Sequence, residues 1–132
     1  MAKPVRFSFS QTGNVGLPFL SMTLTYVNNS VGVLGLLDTG STINVMPYDI
    51  GLQLGAVWED QTQSVQLTGN LANLEARALI VSGIVSQFNP VRLVFAWTQA
   101  NNVPLILGQV NFFREFDVYF YGSQSAFEIK PK

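Results

Sequence analysis

The 132-residue sequence contains no cysteine and no histidine. Without cysteine there is no disulfide, no thiolate nucleophile and no cysteine-ligated metal. Without histidine there is no Ser-His-Asp triad, no Cys-His pair and no His-ligated zinc. Charge is sparse: seven Lys or Arg and eight Asp or Glu leave a formal net charge of -1. That balance gives no basic footprint for nucleic acid. It also gives little repulsion between copies, which permits self-association. No apolar run reaches the ~20 residues of a membrane helix, so no membrane span is expected. The N-terminus, Met1-Ala2-Lys3-Pro4-Val5-Arg6, lacks the apolar core of a signal peptide. A leader cut from a longer precursor would leave the same sequence. The expectation is a soluble chain whose compartment stays open, tipped toward the cytoplasm.

What the chain does have is apolar mass. Apolar residues make up 48% of it, enough to fill the core of a single domain over residues 1–132. Acid–base chemistry would fall to Asp, Glu, Lys, Tyr or bound water. The carboxylates are Asp38, Asp49, Glu59, Asp60, Glu75, Glu115, Asp117 and Glu128. No cofactor and no metal is implied by these residue types.

The periodicity is that of an all-β chain. Residues 5–9 alternate, with Val5, Phe7 and Phe9 on one face. Residues 19–27 also alternate, and Asn28-Asn29-Ser30 reads as a turn into a strand over 31–37. That strand is apolar on both faces apart from its glycines, so it is expected to be central and buried. Residues 43–46 form a short strand stopped by Pro47, and 48–54 a helical turn ended by Gly55. Strands at 64–67 and 74–81 flank a small polar loop, residues 68–73, that reads as an exposed hairpin tip. Strands at 91–97 and 104–107 follow. Residues 109–115 are the best helix candidate, with Val110 and Phe113 sharing its inner face. The tail alternates through Phe116, Val118 and Phe120, turns at 122–125, and returns through Phe127 and Ile129. Trp58 and Trp97 read as packing residues, and Tyr48 as structural. Phe112, Phe113, Phe116, Tyr119 and Phe120 read as core or interface.

The most informative stretch is Leu36-Leu37-Asp38-Thr39-Gly40-Ser41-Thr42. A carboxylate at the end of an apolar strand is costly unless something needs it there. Gly40 frees the backbone to turn, and the neighbouring hydroxyls can hold the acid by hydrogen bonds. A weak echo occurs at Leu105-Ile106-Leu107-Gly108, another apolar run into a turn glycine. It suggests two similar halves, of which the first alone carries an acid. Taken alone, Asp-Thr-Gly-Ser is also compatible with an ordinary Asx-type turn after a strand.

With these elements in this order, the chain resembles a single-domain retropepsin-like aspartic protease, of the bacterial or cellular rather than the retroviral type. Asp38-Thr39-Gly40-Ser41 resembles the catalytic loop, residues 68–73 the flap, and Pro104-Leu105-Ile106-Leu107-Gly108 with its helix the second apolar-Gly element. The likeness spans roughly residues 17–131. It implies a closed acid-protease barrel with one short C-terminal helix, working as a homodimer. It assigns Asp38 as the catalytic acid, with Thr39, Gly40 and Ser41 supporting its loop. Thr39 would bond across the dimer axis, and Ser41 would bond the outer carboxylate oxygen. Thr68, Gly69, Asn70, Leu71 and Ala72 would form a flap that closes on a peptide or protein substrate. Ser41-Thr42, the helical turn near residue 50 and the longer tail depart from the retroviral pattern. Phe7 and Phe9 with Phe127 and Ile129 are candidates for a sheet between subunits.

Chemistry leads to the dimer by a second route. Hydrolysis by carboxylates needs one group to take a proton from water and another to give one to the substrate. Two carboxylates about 3 Å apart cannot both ionise, as in the aspartic-protease dyads, so they share a proton. This chain has one Asp-Thr-Gly; Asp49, Asp60 and Asp117 lack the hydroxyl-Gly sequel. The second acid would then be Asp38 of a two-fold-related copy. Two alternatives stand beside this one. The first is a non-catalytic module of the same fold that dimerises or binds extended peptides; the second is a small barrel binding an apolar ligand, anchored by Asp38.

Overall fold

The architecture comes from a computed structural model of the chain, which describes residues 2–12 and 15–132. Among these residues twelve strands are formed: β1 (Val5–Ser8), β2 (Ser10–Thr12), β3 (Val15–Leu17), β4 (Phe19–Tyr26), β5 (Asn29–Leu37), β6 (Asn44–Met46), β7 (Ser64–Gln66), β8 (Glu75–Ile84), β9 (Val91–Thr98), β10 (Leu105–Leu107), β11 (Phe116–Tyr121) and β12 (Ala126–Pro131). Two short helices, α1 (Tyr48–Gln53) and α2 (Phe112–Glu115), and three single 3₁₀ turns complete the regular structure of the described residues.

The main sheet runs β4-β5-β10-β6-β9-β8, and a further β4–β8 pairing closes it into a six-stranded barrel. Closure removes the exposed edges that an open sheet presents. The seam is antiparallel, with Leu24 opposite Gly83. β7 hangs on the free side of β8, with Val65 opposite Ala76. The barrel interior takes alternate residues of each strand: Leu20, Met22 and Leu24 from β4, Leu79 and Val81 from β8, and Leu93, Phe95 and Trp97 from β9. Each such side chain removed from water contributes about 2–3 kcal/mol.

The echo between the two apolar-Gly runs has a physical form. β5 and β10 lie side by side and parallel, with Leu36 opposite Ile106 and Leu37 opposite Leu107. The expected burial of both faces of β5 does not hold. Val33, Gly35 and Leu37 point inward, while Leu34 is 56% exposed. In a barrel wall, period-two alternation sends every second side chain outward whatever its polarity.

The two tryptophans pack as expected. Trp58 meets Trp97 edge-on at 5.3 Å, and Tyr48 stacks on Trp97 at 5.6 Å. This cluster explains a glycine inside α1: a Cβ on Gly51 would lie 2.2 Å from the Trp97 ring. Gly55, at φ +83, then ends the segment in a left-handed conformation that glycine adopts freely.

Two local expectations are corrected. The β4–β5 turn falls at Val27-Asn28, because Tyr26 pairs with Asn29. The C-terminal helix begins at 112, and its buried residue is Phe112, while Val110 is exposed. Residues 109–110 are drawn into a ladder instead: Gln109 N–H donates to Ser41 O and Val110 N–H to Thr42 O, both at 2.9 Å. The helical turn expected over 48–54 forms as α1.

Phe7 and Phe127 do not wait for a second subunit. β1, β12 and β11 form a three-stranded sheet within one chain, with Phe7 opposite Phe127 and Val5 opposite Ile129. The two phenyl rings stack at 5.3 Å.

Val27 sits at φ 55 with 79% of its surface exposed. A β-branched residue is strained there and gains nothing from burial. Val27→Asn is expected to stabilise the fold by about 1 kcal/mol. Thermal melting should rise by about 3–5 °C; an unchanged or lower midpoint would contradict the assignment of strain.

Candidate active site

Asp38 follows β5 directly, at the end of the central strand pair. Its backbone N–H donates to Leu107 O at 3.0 Å, so β10 positions the acid although it carries none itself. The chain then turns tightly. Ser41 N–H donates to Asp38 O at 3.1 Å, and Gly40 N–H donates to the Asp38 carboxylate at Oδ1, at 3.0 Å. The side chain is half-buried, so one oxygen is fixed by the protein while the group stays reachable from solvent.

The residues named around Asp38 separate into those that touch the carboxylate and those that do not. Gly40 touches it. Ser41 does not: its hydroxyl donates to Ile43 O at 2.7 Å and so braces the loop's exit. Thr39 is exposed, and its carbonyl accepts a hydrogen bond from Gln109 Nε2 at 2.7 Å.

The loop between β7 and β8 is organised by its own bonds. Leu71 N–H reaches Thr68 O at 3.3 Å, and Ala72 N–H reaches Gly69 O at 3.2 Å, which form the turn Gly69–Leu71. Gln66 Nε2 ties the loop's base to Leu67 O and Ala72 O. Leu71 packs on a small apolar cluster of Val45, Leu67, Ala76, Ala96 and Ile106, apart from the barrel core.

These pieces meet around one cleft of about 340 Å³, lined by Asp38, Gly40 and Ser41, by Thr68, Gly69, Asn70 and Leu71, and by Pro104 and Ile106. Thr39 and Ala72 are outside that lining. The walls are apolar or neutral apart from Asp38, which suits an uncharged, extended ligand. Another cavity, about 370 Å³, lies beside Phe88 and Phe116. Its carboxylate, Glu115, is already engaged with Lys132 at 2.9 Å. Among the described residues no three His, Cys, Asp or Glu gather as a metal site would require. No helix among them is long and apolar enough to cross a membrane.

Two asparagines that sequence reasoning missed hold this region together. Asn44 is fully buried. Its Oδ1 accepts Gly108 N–H at 2.8 Å, and its Nδ2 donates to Val94 O at 3.1 Å and to Asn111 Oδ1 at 3.2 Å. Asn111 in turn accepts Val94 N–H at 3.0 Å and donates to Arg92 O at 2.7 Å. Gly108 has no room for a side chain: a Cβ there would sit 2.5 Å from Ile43 O and 2.8 Å from Ser41 O.

A closed barrel with an Asp-Thr-Gly turn after one of two parallel central strands, and a hairpin loop over the same cleft, is the retropepsin-like fold, and the chain has it. A retropepsin-like aspartic protease from Rickettsia conorii superposes with a TM-score of 0.66 at 13% identity, covering 96% of this chain and 91% of that one. EIAV protease, complexed with the inhibitor HBY-793, superposes with a TM-score of 0.55 at 17% identity, covering 80% and 92%. At these identities the likeness establishes the fold. No protein-family model matches the sequence, and no curated protein does.

Proposed function

We propose that the protein is an aspartic endopeptidase whose site is completed by a second copy of the chain. The observation that carries this reading is Asp38 itself. It is held by Gly40 N–H on a cleft that the β7–β8 loop also lines, and it has no second Asp-Thr-Gly within the chain to work with. In the composite site one Asp38 is the general base that takes a proton from water. Its partner, protonated, donates a hydrogen bond to the scissile carbonyl. The two carboxylates titrate as one unit. Thr39, exposed beside the acid, would join the two loops across the axis. The residue 68–72 loop would act as a flap that excludes water as the substrate settles. An extended peptide segment would bind chiefly by its backbone, with apolar side chains against Leu71, Pro104 and Ile106.

The composite site makes activity depend on concentration. Cleavage of an extended apolar peptide library at acidic pH should give a specific activity that falls as the protein is diluted below its dimer dissociation constant. Constant specific activity over several decades, with a monomer in sedimentation, would remove the shared site. Saturable peptide binding without any cleavage would favour a non-catalytic peptide-binding module instead.

A further inference from the structure

The proposal made here deepens the proteolytic reading and rests on it for its kinetic part. Gln109 immediately follows the buried Gly108, and its side chain reaches the Asp38 loop. Its Nε2 donates to the Thr39 carbonyl at 2.7 Å. That carbonyl belongs to the same peptide unit as the N–H of Gly40, which donates to Asp38 Oδ1 at 3.0 Å. One planar peptide is therefore bonded at both ends, with an amide donor on its oxygen and a carboxylate on its hydrogen. Because the unit is rigid, fixing the oxygen fixes the direction of the N–H. Because hydrogen bonds in a chain polarise one another, a donor on the carbonyl makes the N–H a stronger donor.

We propose that Gln109 is a positioning residue for the Asp38 carboxylate, acting through the Thr39–Gly40 peptide. Its side chain is separable from the fold. Gln109 N–H donates to Ser41 O and Val110 N–H to Thr42 O at 2.9 Å, and Asn44 N–H donates to Val110 O at 3.1 Å. Those three backbone bonds tie the 109–110 segment to the active-site loop and its exit, and none uses the Gln109 side-chain amide. The side chain is exposed, so replacing it opens no cavity. What it adds is aim: with the amide gone, the peptide is free to rock and Oδ1 loses a well-directed donor.

Gln109→Met keeps the length and removes the donor, and Gln109→Lys restores a donor of similar reach. For the Met variant, kcat should fall about three- to tenfold with KM changed less than about twofold. The Lys variant should recover most of that loss. The direct readout is the Gly40 amide by NMR: its proton should move upfield and exchange faster in the Met variant, with neighbouring barrel amides unchanged. That measurement needs no activity, so an inactive wild-type protein would sink the proteolytic reading while the Gly40 signal still judged the role of Gln109. An unmoved Gly40 amide would overturn the proposal. So would a Met variant whose KM and melting temperature shift together while kcat holds.

Discussion

Asp38→Asn is expected to leave the barrel intact and lower kcat by about 10⁴-fold or more. The replacement is nearly isosteric. The amide oxygen can still accept the Gly40 N–H that now holds Oδ1 at 3.0 Å, so the loop has no reason to rearrange. The group is only half-buried, and its exchange should move stability by less than about 1 kcal/mol. An amide cannot accept a proton from water, which is the step the mechanism needs. A mixing experiment then tests the shared site. If equal amounts of variant and wild-type chains assort at random, about one quarter of the dimers carry two Asp38 residues. Activity per wild-type chain should therefore drop by about half. A site complete within one chain would show no such loss, and a variant that cleaves at the normal rate would end the case for Asp38 as the base.

Asp38 could be read from sequence because its signal is local. One acid, a preceding apolar strand, a following glycine and flanking hydroxyls all fall within seven residues. The parallel pairing of β5 with β10 was visible only as an echo between two apolar-Gly runs. Period-two patterning says which residues share a face, but not which strand lies next to which. Leu34 shows the limit of composition: it is apolar and 56% exposed, because the pleat alone decides its side of the barrel wall. Ser41 shows the limit of motif reasoning. Its hydroxyl lies near an obvious carboxylate yet donates to Ile43 O. Residues 109–110 carry helix-compatible chemistry, but their backbone is claimed by a loop some seventy residues earlier, and tertiary pairing overrides local propensity. Asn44 gave no warning at all. An asparagine between Ile43 and Val45 resembles a tolerated polar residue in a short strand, and its partners at 94, 108 and 111 are distant in sequence.

That hidden residue carries the largest expected effect on stability. β6 begins at Asn44, opposite Phe95 of β9, so the peptide groups of Val94 lie just beyond the reach of the β6 ladder. The two asparagine amides take over: Asn44 donates to Val94 O, and Asn111 accepts from Val94 N–H. Asn44 also receives the Gly108 N–H in a fully buried setting. Asn44→Ala strips Gly108 N–H of its partner in a buried setting that water does not reach, and Val94 O of a partner in a part-buried one. The expected cost is about 3 kcal/mol, most of it desolvation left uncompensated. Melting should fall by about 10 °C. Activity should fall with it, since Gly108 follows the Leu107 carbonyl that holds Asp38 N–H. Asn44→Asp separates geometry from hydrogen bonding. A carboxylate keeps the acceptor for Gly108 N–H but faces the oxygens of Val94 and Asn111 without a donor. Burial and those oxygens should raise the folded-state pKa of the new acid above its unfolded value. Folding then favours the protonated form, so the added penalty is absent below the unfolded pKa and grows as pH rises toward the folded one. The gap in stability between Asn44→Asp and wild type should be smaller at about pH 4 than at about pH 7. Chemical denaturation at the two pH values decides it. Equal gaps, or an Ala variant melting within a degree or two of wild type, would mean that Asn44 does not carry these bonds.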